Sequence, residues 1–336
     1  MTDRAQALAD FIAASGWPDA ATRPLAGDAS NRRYLRLQRP DGARAVLMDA
    51  PAARGEDVAA FARIARHLSG LGLSAPRILA EDTANGFLLL EDLGDALFAR
   101  VLDAAPERET ALYQAASDVL VELHGHTAPS ALATYSPRVM ADMAALAFDW
   151  YLLGGAGGES PARTAFHADM QSLLENHAAP ADVLIQRDYH AENLLWLPDR
   201  TGVARVGLLD FQDAMRGHRA YDLVSVLQDA RRDVSPAIER AMICRYIAAT
   251  GVDEDAFTTA YHCLGAQRNL RILGVFARLC LRDGKAHYVD LIPRVWDLLQ
   301  RDLGHPALSG IAAHVQDSLP APGPSFLQDL KERCAT

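Results

Sequence analysis

The chain reads as an α+β protein in which a small strand-rich lobe precedes a large helical one. Three features predict this. Short extended segments cluster before residue 92, helical periodicity dominates after it, and one strand pair near residue 200 interrupts the helices. Residues 1–93 are expected to form the first domain and residues 94–336 the second, with the link at Leu93.

Taken in order, residues 4–15 have the pattern of an amphipathic helix. The turn-rich stretch Pro24-Leu25-Ala26-Gly27-Asp28-Ala29-Ser30-Asn31 then separates two extended segments. Tyr34-Leu35-Arg36-Leu37, a break at Pro40-Asp41-Gly42, and Ala45-Val46-Leu47-Met48 complete a three-strand meander. Val58, Phe61, Ile64, Ala65 and Leu68 recur at the spacing of one buried helix face, which predicts a helix over 56–71. Strands follow over 77–81 and 87–90, and the second runs into Glu91-Asp92-Leu93-Gly94-Asp95. Beyond this point the expected exception to helix is a hairpin, 193–197 with 203–210, around the turn Pro198-Asp199-Arg200-Thr201-Gly202. Gly154-Gly155-Ala156-Gly157-Gly158 predicts a surface loop between helices, because glycine disfavours helix.

Composition narrows the function. A net charge of −10 argues against a nucleic-acid partner, since such binding comes mainly from Lys and Arg neutralising phosphates. Cys244, Cys263, Cys280 and Cys334 show no Cys-x-x-Cys spacing, so neither a disulfide framework nor a thiolate zinc site is indicated, and the cytoplasm is the expected compartment. No apolar run approaches the roughly 20 residues of a membrane span, and the first 20 residues lack the pattern of a signal peptide. Neither G-x-G-x-x-G nor G-x-x-x-x-G-K-[ST] occurs, which sets aside dinucleotide-binding and P-loop enzymes.

The chemistry concentrates in Gln186-Arg187-Asp188-Tyr189-His190-Ala191-Glu192-Asn193, which fits the catalytic loop H-R-D-x-x-x-x-N except at its first position. An Asp there can accept a hydroxyl proton, and an Asn five residues on can give a neutral oxygen to magnesium. Twenty-two residues after Asp188, an apolar strand ends at Asp210-Phe211-Gln212, where a second carboxylate would reach the metal and the phosphates.

These residues resemble the aminoglycoside phosphotransferase family, small-molecule kinases with the protein-kinase-like two-lobed fold, and the match covers most of the chain. Asp188 to Asn193 corresponds to that family's D-x-H-x-x-N loop, Leu209-Asp210-Phe211 to its second magnesium-binding segment, and Tyr221-Asp222-Leu223 to the Asp-Leu that buttresses the loop. More narrowly, five stretches look like the bacterial kinases acting at the anomeric hydroxyl of N-acetylmuramate and N-acetylglucosamine in cell-wall recycling. They are Gly27 to Tyr34, Val46 to Pro51, Leu90 to Asp95, Leu209 to Ala214 and Gln267 to Gly274. The resemblance implies ATP and Mg2+ as cofactors and a small-molecule sugar as partner. Asp188 is then the base, and Asn193 and Asp210 are the metal ligands. Glu91 to Leu93 becomes the hinge whose backbone pairs with adenine, and Gly27, Ser30 and Asn31 a loop over the phosphates.

One departure stands out. Kinases of this kind carry a Lys on the third strand that grips the α- and β-phosphates and pairs with a helix Glu. The matching position here is Met48, and of 33 basic residues only Lys285 and Lys331 are lysines. Arg32, Arg33, Arg36 and Arg44 are the candidate replacements. Arg44 shares strand parity with Met48, whereas the face taken by Arg36 depends on an unknown register. Glu56, the possible helix Glu, loses its usual partner. Gln186 in place of the loop His should be tolerated, because that position supports the loop from behind.

Other residues invite competing readings. Arg268, Arg271, Arg278 and Arg282 share one stripe of a helix over 265–281, where they could bind an acidic sugar substituent or pair with the protein's own carboxylates; Arg268 and Arg271 are the acceptor-site candidates. His124 and His126 suggest a metal, but no third ligand is apparent. Phe148, Trp150 and Tyr151 could stack on a sugar or pack in the core. Two alternative functions stay open: phosphorylation of an aminoglycoside or another small alcohol, and a nucleotide-binding module that has lost catalysis.

Overall fold

The computed structural model describes residues 4–25, 32–51, 55, 57–155 and 160–335. They form two compact units, Met1–Val119 with Ala191–Ala214, and Leu120–His190 with Met215–Thr336. Packing therefore groups the residues differently from a linear division at Leu93: the hairpin carrying Asn193 and Asp210 joins the sheet.

The first unit is built on an antiparallel five-stranded sheet. Its strands are β1 (Ala21–Pro24), β2 (Arg33–Gln38), β3 (Arg44–Asp49), β4 (Ile78–Asp82) and β5 (Phe87–Glu91), ordered β1-β2-β3-β5-β4. The meander predicted for its first half is present. Tyr34 lies opposite Met48, Arg36 opposite Val46, and Met48 opposite Leu88. Because directly opposed residues share a face, Arg36, Arg44 and Met48 lie on one side and Leu37, Leu47 and Leu89 on the other. The second side is covered by α1 (Arg4–Ala14), where Phe11 and the following Trp17 pack against Leu37, Ala45, Leu47, Phe87 and Leu89. On the first side Met48 meets Val58 and Phe61 of α2 (Val58–Gly70) around a small cavity. Asp57 caps α2 by accepting the amides of Ala59 and Ala60.

The predicted hairpin consists of β7 (Leu194–Trp196) and β8 (Val206–Leu208). It is fixed to the sheet unit by bonds from the Leu208 amide to the Ser74 carbonyl at 2.9 Å and from the Trp196 amide to the Ala96 carbonyl at 2.8 Å. Helix α3 (Phe98–Ala104) lies against β7, and α4 (Glu109–His124) runs from this unit into the second.

The second unit is mostly helical: α5 (Pro137–Ala144), a wider turn over Ala147–Leu152, α6 (Pro161–His177), α7 (Tyr221–Leu227), α8 (Pro236–Thr250), α9 (Glu254–Leu281), α10 (Ile292–Leu303), α11 (Ser309–Ser318) and α12 (Pro324–Glu332). Helix α9 is its axis and packs against α5, α6, α7 and α10. Close approach to α9 is set by two glycines. A Cβ on Gly274 would lie 2.4 Å from the Leu146 carbonyl oxygen, and one on Gly265 only 2.3 Å from Asp302 Oδ2.

One expectation is corrected here. A second strand pair, β6 (Val183–Ile185) with β9 (Met215–Gly217), exists where a single hairpin was expected. Strands of three residues are too short to show a period. Of the two readings of Phe148 and Tyr151, core packing is the one the structure shows. Phe148 is buried against Phe166, while Tyr151 packs on Trp296 and Phe326 and donates its hydroxyl to the Pro320 carbonyl. No helix among the described residues is long and apolar enough to cross a membrane.

Candidate active site

In the sheet unit, Asn193 enters β7 and Asp210 leaves β8. The Leu209 amide donates to the Asn193 carbonyl at 3.0 Å, so the two stand at adjacent strand ends. Asp210 takes a left-handed backbone, φ 55°, that costs a non-glycine residue energy and turns the chain sharply after the strand. The next residue pins this turn: Phe211 is fully buried, its ring 4.8 Å from that of Phe61 on α2. The Asp210 carboxylate accepts Gln212 Nε2 at 2.8 Å and lies 3.6 Å from Arg32 Nη1.

The donor set suits magnesium. Among the described residues no three His, Cys, Asp or Glu side chains converge. A hard cation held by one carboxylate and one amide oxygen would complete its shell with phosphate and water, which is how magnesium is usually bound.

In the helical unit, the loop beginning at Gln186 is held from beneath by Asp222 of α7. This fully buried carboxylate accepts the Gln186 amide at 2.6 Å and the Arg187 amide at 2.9 Å. Burial pushes its pKa up to about 7 against the pull of those two bonds. Arg187 adopts φ 73°; its carbonyl accepts Ser225 Oγ and its guanidinium lies over the Tyr135 ring. Gln186 is buried, as expected for a residue behind the loop. The buttress suggested by Tyr221-Asp222-Leu223 is thus a pair of hydrogen bonds that fixes the backbone immediately before Asp188.

Burial alone would raise the pKa of Asp188. The positive charges around it, that of Arg271 the largest and those of Arg187 and Arg268 among the rest, overcome this and hold it below the usual carboxylate value. Asp188 is accordingly ionised at neutral pH, with its oxygens able to accept a hydroxyl proton. His190 is driven the other way, to about 4 by burial, and is a neutral imidazole.

Both arginines singled out on α9 therefore come close to Asp188. Arg271 lies beside Tyr221 and Asp188. Arg268 is buried and donates through Nη1 to the Gln228 carbonyl at 3.2 Å. Behind it is a polar cluster that sequence reading missed. Gln228 Nε2 donates to Asp302 at 3.0 Å, Asn269 Nδ2 donates to Gln228 Oε1 at 2.9 Å and to Asp302 at 3.2 Å, and His262 Nδ1 pairs with Asp302 at 3.0 Å. Three adjacent polar residues, Gln267-Arg268-Asn269, between apolar neighbours in α9 were the available signal.

The remaining candidates fall differently. Gly27, Ser30, Asn31 and Glu56 lie outside the described residues. Arg44 is exposed at the end of β3 next to Glu91, near Asp95. The Glu91 carboxylate pairs with Arg77 and Arg200, and the Leu93 side chain packs over Gly207. His124 meets the Tyr246 hydroxyl at 2.7 Å and sits in the core, and Arg282 pairs with Asp283.

Residues 21–257 match the Phosphotransferase enzyme family. The chain belongs to that family. This phosphotransferase is 40% identical to the N-acetylmuramate/N-acetylglucosamine kinase of Caulobacter vibrioides, over 93% of this chain and 96% of that protein. It is 36% identical to the N-acetylmuramate/N-acetylglucosamine kinase of Pseudomonas aeruginosa, over 87% and 88%. Among solved structures it resembles choline kinase LicA from Streptococcus pneumoniae, at 12% identity and a TM-score of 0.60 over 88% of this chain and 99% of the other. The ADP-bound aminoglycoside phosphotransferase APH(2'')-Ib gives 13% identity and a TM-score of 0.59 over 89% and 97%. The fold of this phosphotransferase is thus protein-kinase-like, with an antiparallel-sheet lobe and a helical lobe, as the sequence predicted.

Proposed function

We propose that this phosphotransferase moves the γ-phosphoryl group of ATP to the anomeric hydroxyl of N-acetylmuramate or N-acetylglucosamine, in the reuse of cell-wall sugars. The observation that carries the reading is Asp188, kept ionised by Arg271 and Arg268 at the head of a loop whose backbone is locked by Asp222. The names of the two relatives supply the acceptor class.

In the step itself the anomeric hydroxyl donates its proton to Asp188 as its oxygen bonds to the γ-phosphorus. The bond from that phosphorus to the β–γ bridging oxygen breaks, and ADP leaves with the electron pair. A positioned base contributes about 10²–10⁴ in rate, and the remainder comes from alignment and charge neutralisation around a loose transition state. Asn193 and Asp210 would hold Mg2+, which supplies positive charge to the phosphates when bound. The backbone of Glu91 to Leu93 receives adenine, so Leu93 divides a nucleotide-binding segment, 1–93, from one that carries the catalytic loop and the acceptor, 94–336. Arg271 faces the acceptor, where a lactyl carboxylate would suit a guanidinium, and Arg268 steadies the same wall from behind. Use of ATP and four free cysteines suit a cytoplasmic enzyme.

The test incubates the protein with Mg-ATP and, separately, N-acetylmuramate, N-acetylglucosamine or an aminoglycoside, and locates the new ester by phosphorus NMR. A sugar 1-phosphate is expected from the first two. An ester at another ring position, or on the aminoglycoside alone, overturns the assignment.

A further inference from the structure

We propose that Arg32 is the cation that grips the nucleotide phosphates in this chain, filling from the residue just before β2 the place of the lysine that β3 lacks. The inference rests on the nucleotide-binding reading above. It begins from an electrostatic requirement: a triphosphate brought to Asp210 adds negative charge beside a carboxylate, and kinases of this fold meet it with a third-strand lysine as well as metal. Here that position is Met48, buried and neutral.

The register separates the four arginines that could compensate. Arg33 lies opposite Asp49, on the α1 side of the sheet, and pairs with that buried carboxylate together with Arg4. Arg36 is on the Met48 side but is committed to Asp92 and Asp95. Arg44 shares that side, yet stands four residues from Met48, about 13 Å along the strand, beside the proposed adenine-binding segment and exposed. Arg32 immediately precedes β2, whose second residue Tyr34 lies opposite Met48, and it lines a cavity together with Met48.

The surroundings of Arg32 fit the role. With Met48, Ala50, Gly55, Asp57, Val58, Phe61, Gln212 and Asp213 it lines a cavity of about 110 Å³, too small for a whole nucleotide and suited to a phosphoryl group or two. Among the described lining residues it supplies the positive charge. The side chain is largely buried, 10% exposed, and its guanidinium lies 3.6 Å from the Asp210 carboxylate that is proposed to hold Mg2+. A magnesium-bound phosphate approaching Asp210 enters the reach of this guanidinium, whose planar fork offers two parallel N–H donors to two phosphate oxygens. The Asp210 carboxylate thus has a counter-ion before the nucleotide arrives, and the same guanidinium turns to phosphate afterwards.

Equilibrium binding of Mg-ATP, Mg-ADP and adenosine, read by displacement of a fluorescent nucleotide, tests the assignment. Arg32→Ala should weaken ATP and ADP about 10- to 100-fold, as expected for loss of charge-assisted hydrogen bonds, and leave adenosine within about threefold. Arg32→Lys should recover part of the lost affinity. Arg32→Gln serves if the alanine variant fails to fold, and thermal unfolding reports on that. A change in ATP affinity below threefold, or equal losses for ATP and adenosine, overturns the proposal while the kinase reading stands. A wild-type protein that binds neither ATP nor ADP overturns both.

Discussion

Replacing Asp222 with Asn should make the protein more stable above neutral pH and slower as a catalyst. The carboxylate receives two backbone amides through its two oxygens, at 2.6 and 2.9 Å, with no solvent contact. Burial raises its pKa to about 7 from 3.8. Between those values the folded state keeps a proton that the unfolded chain has released, so stability falls as pH rises from about 4 to 7 and stays low above. Three units correspond to about 4 kcal/mol, which the uncharged Asn does not lose. Against this, Asn offers a single acceptor oxygen, and the amide left without one costs about 1–3 kcal/mol. The balance at pH 8 favours the variant by about 1–3 kcal/mol, while near pH 4, where the native carboxyl is itself protonated, the two proteins should be alike. Catalysis responds in the opposite sense. With one of the two bonds gone the backbone before Asp188 shifts, and displacement by about 1 Å can cost a factor of about 10² in kcat. Urea unfolding at pH 5 and pH 8, beside kcat at pH 8, decides the matter. An Asp222→Asn protein less stable than wild type at pH 8, with the same pH slope, would show that the two amide bonds outweigh the burial of the charge and would refute this reasoning.

Asp188→Asn should lower kcat by about 10²–10⁴ and leave the dissociation constant of Mg-ATP within about twofold, measured by a coupled ADP assay and by nucleotide displacement. Arg271→Met removes the main charge that lowers the Asp188 pKa, so the acid limb of the kcat–pH profile should move to higher pH, whereas an unmoved limb would dissociate Arg271 from the base. His124, held by burial at a pKa of about 3, excludes a proton that the unfolded chain accepts below 6.5. Its contribution to stability is therefore present above 6.5 and lost as pH falls, by about 2 kcal/mol at pH 5, and His124→Gln should flatten that part of the urea-unfolding profile.

The parts of the site legible in the sequence were those carried by side-chain identity at fixed spacing. Asp188, Asn193 and Asp210 stand out because their spacing matches the order of oxygen donors that a phosphoryl-transfer site uses, and Tyr221-Asp222-Leu223 matches the buttress that the Asp222 hydrogen bonds form. Register was not legible, since strand parity alone leaves Arg36 on an undetermined face and cannot say which end of β3 lies near Glu91. That is why strand parity put Arg44 ahead of Arg32 in the sequence, whereas in the structure it is Arg32 that lines a cavity with Met48. The pair β6 and β9 was not legible because strands of three residues are too short to show a period. Phe148 and Tyr151 were ambiguous for a related reason: an aromatic ring has the same chemistry in a core as in a sugar site, and only its neighbours distinguish the two.

The cluster behind Arg268 constrains how this enzyme can change. Asp302 is shared by Gln228, His262 and Asn269, and Gly265 leaves it just enough room. A methyl group at position 265, or a one-residue slip of α9 against α10, would orphan several partners at once. The floor under Arg268 therefore tolerates little change, because any substitution there disturbs several partners together.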